Sequence, residues 1–123
     1  MSYIDGFVAA VPNANRQKLI DFANKFDALF IEYGALRVVE CLGEDVPKGK
    51  VTDYYRAVDA KDDEVIMFSW VEWPDKETRN EAMKKMEALM ETDPNYDMKN
   101  NPMPFDGMRM IYGGFEPVVN LSK

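Results

Sequence analysis

The chain has 123 residues, room for one ordinary domain, and at that size folding buries roughly two thirds of the surface the unfolded chain exposes. Hydrophobic residues make up 46% and aromatic residues 12% of it, too apolar for intrinsic disorder, while its apolar runs fall well short of the ~20 residues a bilayer span needs. A formal net charge of −7 with no more than two adjacent basic residues repels phosphate backbones and excludes a nucleic-acid partner, and the absence of histidine removes the commonest general base near neutral pH and the commonest transition-metal ligand.

Tyr3 to Val11 is apolar on nearly every position, which predicts a strand covered on both faces and closed by Pro12. Asn13 or Asn15 then caps a helix whose Leu19, Phe22, Ala23, Phe26, Leu29, Phe30 and Tyr33 recur at steps of three and four, with Gly34 as its stop. "ALRVVECL" at 35–42 reads as a second strand and "EDVPKGKVTD" as a polar connection; "YYRAV" at 54–58 fits either a short strand or a helical turn. "EVIMFSWVEW" at 64–73 is a central strand, rich in β-formers on both parities.

Pro74 closes that strand, Asp75 is a natural N-cap, and Glu77 places an anion in the first turn of a second helix with Ala82, Met83, Met86, Leu89 and Met90 on its apolar stripe. "TDP" at 92–94 ends it, because the residue before proline is pushed away from helical angles. "NYDMKNNPMP" is a loop or a single irregular turn, and Met108 to Val119 is read as the last strand. The export pattern of a basic stretch, an apolar stretch and a cleavage site is not seen at the start, and the lone Cys41 cannot close an internal disulfide; together these predict a reducing cytoplasm.

The order strand, helix, strand, strand, helix, strand predicts a single α+β domain over 1–123. Its fold class is ferredoxin-like βαββαβ, an antiparallel sheet with two helices on one face. Two helices cover one face only, yet Phe7, Trp70, Trp73 and Phe115 distribute large apolar groups over both. The simplest cover is a second copy, so a homodimer packed sheet on sheet is expected, with Gly6, Gly113 and Gly114 permitting a bulge, strong coiling or close backbone approach.

The stretches "YIDGFVAAVP", "ALRVVECLGEDVPKGKVTDY", "MFSWVEWP" and "MPFDGMRMIYGGF" together resemble the YbaA-like family, the domain of unknown function family 1428, over nearly the whole chain. That resemblance implies a dimeric α+β barrel and a cavity; it implies no particular reaction. The chain departs from the family pattern at "EALMETDPNYDMKNN", which is longer than usual and bears on the shape of one cavity wall.

Charges and hydroxyls inside strands are the informative polar groups: Asp5, Arg37, Glu40, Ser69, Glu72, Arg109 and Glu116. They are either inter-strand ion pairs or lie around a cavity, where Arg109 would grip a substrate carboxylate while Asp5, Glu40 or Glu72 acts as base. Asp106 in "PFDG" is a turn-former or sits at a cavity mouth beside Arg109, and Asp5 in "IDGF" allows the same two readings. Asp5, Glu40, Glu72, Asp106 and Arg109 are therefore the candidate catalytic residues.

Cys41 reads as structural, the methionines at helical spacing as core, and the acidic clusters as solvated turns without EF-hand spacing. No cofactor and no metal site is expected. The best functional expectation is a cytoplasmic homodimer that binds a small anionic or aromatic metabolite in a cavity, with cofactor-independent catalysis there left open; a non-catalytic ligand sensor and a protein–protein adaptor are the alternatives.

Overall fold

The structure, a computed structural model, describes residues 2–123. Its elements are β1 (Tyr3–Pro12), a 3-10 turn (Asn13–Asn15), α1 (Arg16–Glu32), β2 (Arg37–Leu42), α2 (Tyr54–Ala57), β3 (Glu64–Trp73), α3 (Lys76–Thr92), a second 3-10 turn (Gly107–Arg109) and β4 (Ile111–Phe115). The four strands form one sheet in the order β2-β3-β1-β4, each pairing antiparallel. This is the expected ferredoxin-like α+β fold.

Strand period sorts the side chains onto two faces. Asp5, Ala9 and Val11 of β1 lie under the helices with Met67, Val71 and Trp73 of β3, against Leu19, Phe26 and Leu29 of α1 and Ala82 and Met86 of α3. The other parity puts Ile4, Gly6 and Val8 on the opposite face, paired with Phe115, Gly113 and Ile111 of β4 and flanked by Phe68 and Trp70 of β3. Val46, Tyr55 and Val58 cover one end of that face over Ala10 and Ile66. The rest is open, with Phe68 43%, Ile111 46% and Phe115 60% exposed.

Local signals explain the element ends. Asp75 accepts the Thr78 amide at 2.6 Å and caps α3, and Asp53 accepts the Arg56 amide at 2.8 Å to cap α2, which settles 54–57 as helical. Gly34, at φ 116°, follows α1; its own amide bonds the Ile31 carbonyl and the Ala35 amide bonds that of Phe30.

Three expectations need correction. Neither Asn13 nor Asn15 caps α1 through its side chain; both lie in the 3-10 turn, and the Asn15 amide instead donates to the Pro104 carbonyl at 2.8 Å. The last strand is shorter than Met108–Val119. Asp106 accepts the Met108 amide at 3.0 Å and folds 107–109 into a turn, while Pro117 lacks the donor that would carry the ladder onward. The glycines make no bulge, since the β1–β4 register is continuous.

The glycines accommodate aromatic rings instead. Gly6 and Gly113 sit opposite one another, and the Phe115 ring lies 3.5 Å from where each would carry a Cβ; the Tyr3 phenol occupies the space above Gly114.

Asp5, 3% exposed, accepts Trp73 Nε1–H at 2.9 Å and Arg79 Nη2–H at 2.8 Å, tying β1 to β3 and α3. Asp5→Ala leaves a buried indole donor unpaired and breaks a largely buried ion pair, so it is expected to cost about 3–5 kcal/mol in urea denaturation. A loss below about 1 kcal/mol would show that the link does not hold the sheet to α3.

Candidate functional site

The strand charges resolve into separate groups. Asp5 is held by Trp73 and Arg79 beneath α3. Glu72 accepts Trp70 Nε1–H at 2.9 Å and lies 3.9 Å from Arg37, on the open face. Arg109 donates to both Glu64 oxygens at 2.7 and 2.8 Å, to Asp106 at 2.9 Å and to the Asp59 carbonyl at 2.8 Å. These hydrogen bonds hold the Glu64 carboxyl down at about 2, and the same arginine lowers Asp106. The fork of Arg109 is therefore occupied from within the chain. Among the five candidates, Asp106 and Arg109 come together, Asp5 and Glu72 stand elsewhere on the sheet, and Glu40 alone lines an interior cavity.

That cavity, about 180 Å³, lies between the helices and the sheet. Phe22, Phe26, Phe30, Met67, Met86 and Met90 supply walls from α1, β3 and α3; Met98, Met103 and Phe105 close it from the segment after α3. The long "DPNYDMKNN" connection thus contributes a wall. It is fastened by Lys25 Nζ donating to the Asn101 side chain at 2.7 Å, by the Asn15–Pro104 bond, and by Tyr96 edge-on to Phe26.

Outside it, between α1 and the edge strand β2, runs a groove of about 490 Å³ lined by Ile20, Asn24, Ala28, Ile31 and Val38. Ala23, Asp27 and Glu40 line both spaces. The two carboxyls stand at the boundary between the apolar cavity and the surface groove. They are the only titratable side chains lining either space among the described residues.

Asp27 is half-buried in this wall and Glu40 is exposed at its outer edge, and the two carboxyls line the same two spaces. Burial first, then the hydrogen bond to Glu40 and its charge, push Asp27 from 3.8 up to about 8. At neutral pH Asp27 therefore presents an acid beside the Glu40 carboxyl, at one edge of the space a ligand would fill. Asp27 was missed in the sequence because a helix aspartate reads as solvated. The available signal was its position four residues after Ala23 and three before Phe30, on the flank of the apolar stripe.

The open face carries a wider concavity of about 610 Å³, lined by Ile4, Val8, Phe68, Trp70 and Phe115. It is broad and apolar, a shape suited to another surface rather than to an enclosed molecule. No group of three or more His, Cys, Asp or Glu side chains among the described residues is placed to hold a metal ion, and no described helix is long and apolar enough to cross a membrane.

A carboxyl raised on folding makes the folded state hold a proton that the unfolded state has lost, so the stability Asp27 contributes is full below about 4 and declines as pH rises toward about 8. Asp27→Asn removes this decline. Its urea midpoint is expected to gain on that of the unsubstituted protein from pH 5 to pH 8, and a constant difference across that interval would contradict the buried acid.

Residues 2–107 match the family model described as "Protein of unknown function (DUF1428)". The chain is 49% identical over 120 residues to the uncharacterized protein YbaA of Escherichia coli K12, covering 98% of this chain and 99% of that one, and equally to YbaA of Shigella flexneri. Among solved structures it resembles a dimeric ferredoxin-like protein from an uncultured marine organism, with a TM-score of 0.65 at 10% identity over 98% of both chains. The chain belongs to the DUF1428 family and has the ferredoxin-like fold.

Proposed function

We propose that the protein is a homodimer joined through its open sheet face, and that each subunit binds a small, uncharged apolar or aromatic molecule in the helix-side cavity. The observation that carries the binding reading is the chamber itself: phenylalanine and methionine walls with one carboxyl pair at the mouth. A void of about 150 Å³ lined by apolar side chains accepts benzene, so 180 Å³ suits a single ring or a short branched chain. Two carboxyls with no lining cation disfavour an anion, which narrows the ligand from anionic or aromatic to neutral or donor-bearing. Methionine lets the walls adapt to shape.

Dimerisation is favoured by the apolar open face and by the dimeric state of the structural relative. Trp70 and Phe115 would be covered by their counterparts. The lone Cys41 suits a reducing compartment such as the cytoplasm. A sensor and an enzyme share this cavity and differ in whether the ligand emerges unchanged.

Light scattering is expected to give twice the 14.1 kDa chain mass, and Phe68→Asp, which places a charge on the open face, to give the monomer with the fold retained. A monomeric unsubstituted protein would overturn the dimer. A thermal-shift screen against small uncharged ring compounds tests the cavity: a ligand at 100 times its Kd adds about 2.7 kcal/mol. The shift should vanish when Ala23→Phe fills the chamber mouth, and a shift that survives that change would place the ligand elsewhere.

A further inference from the structure

We propose that Asp27 and Glu40 form an acid–base dyad that shifts a proton between carbon and oxygen of a small neutral carbonyl compound held in the helix-side cavity, interconverting ketone and enol. The proposal rests on the binding reading of that cavity and adds a reaction to it. Its first support is placement. The two carboxyls arise from different elements, α1 and β2, yet meet at the one boundary shared by the chamber and the outer groove. A ligand filling the chamber turns an edge toward them while its remainder rests on Phe22, Phe26, Phe30 and the methionines. The groove on the far side gives the pair a path to water for its protons.

The second support is the difference from every other paired carboxylate described above. Asp5 faces Arg79, Glu64 faces Arg109, and Glu72 faces Arg37, each beside a cation. Asp27 lies beside a second carboxyl instead, in the wall both spaces share, where burial and that neighbour favour its protonated form. A dyad of this kind needs no histidine, metal or redox partner, which agrees with a chain that contains no histidine.

The step balances. Glu40 carboxylate removes a proton from the carbon beside the carbonyl, and the C–H electron pair becomes the carbon–carbon π bond. The carbonyl π pair takes the proton of the Asp27 carboxyl and becomes the enol O–H. Asp27 is left as carboxylate and Glu40 as acid, and transfer across their mutual hydrogen bond restores the starting state. Nothing is oxidised or reduced, and the reverse passage converts enol to ketone. The substrate class is an uncharged cyclic or aryl ketone of up to about ten non-hydrogen atoms, limited by the cavity volume.

The test is hydrogen–deuterium exchange at the carbon beside the carbonyl, followed by NMR in heavy water with cyclohexanone, acetophenone and phenylacetone as probes, with binding read from ligand line broadening in the same samples. The expected result is binding with exchange above the buffer rate. Asp27→Asn and Glu40→Gln should still bind but lose about 100-fold or more of the exchange; Glu32→Gln, on the exposed side of α1, should lose none. Binding without exchange would overturn the dyad while leaving the cavity reading intact. No binding of any probe would overturn both, and exchange that persists in Asp27→Asn and Glu40→Gln would assign the chemistry elsewhere.

Discussion

A carboxylate withdrawn from water must find a positive charge or a proton, and this structure uses both solutions. Asp5 is neutralised by Arg79 under α3, and Glu64 by Arg109 at the margin of the sheet, where Asp106 and the Asp59 carbonyl complete the clasp. The first of these pairs fastens the second half of the chain to the first, and the second closes the last turn onto β3. Arg109 holds the turn before β4 onto the start of β3, and Arg79 holds α3 onto β1. Asp27 takes the other solution, a proton favoured by burial and by the neighbouring Glu40, and the acid that results is what distinguishes the helix-side cavity from an ordinary gap in a core.

The two faces of the sheet divide the work. The helix face supplies a cavity walled by α1, β3 and α3 and by Met98, Met103 and Phe105 from the connection after α3. The open face supplies contact area. There the glycines of β1 and β4 have a clear role: Gly6 and Gly113 form a flat seat for the Phe115 ring, and Gly114 makes room for Tyr3 on the other side. A side chain at Gly114 would displace the Tyr3 phenol, whereas a Cβ at Gly6 or Gly113 would only touch the Phe115 ring.

Much of the fold was legible because it follows from local physical chemistry. Strand parity placed Trp70 and Trp73 on opposite faces, Gly34 ended α1, and Asp75 capped α3. The failures came where a distant partner outweighed a local preference. Asn15 forgoes capping to bind Pro104, 89 residues away, and β4 starts late because Arg109 turns toward Glu64. Of the site, Glu40 was legible as a charge within a strand, whereas Asp27 was not. Its partner is set by how α1 crosses the edge of the sheet, which no spacing within the helix records.

The central claim is that Asp27 is an acid at neutral pH because Glu40 and burial hold its proton. Carbon-13 NMR of the aspartate side-chain carboxyls through a pH titration, with Asp27 assigned by substitution, tests this most directly. The expected result is a midpoint near 8 that moves down in Glu40→Gln. A midpoint near the ordinary value of about 4, unchanged in Glu40→Gln, would contradict the shared proton and the acid–base site built on it.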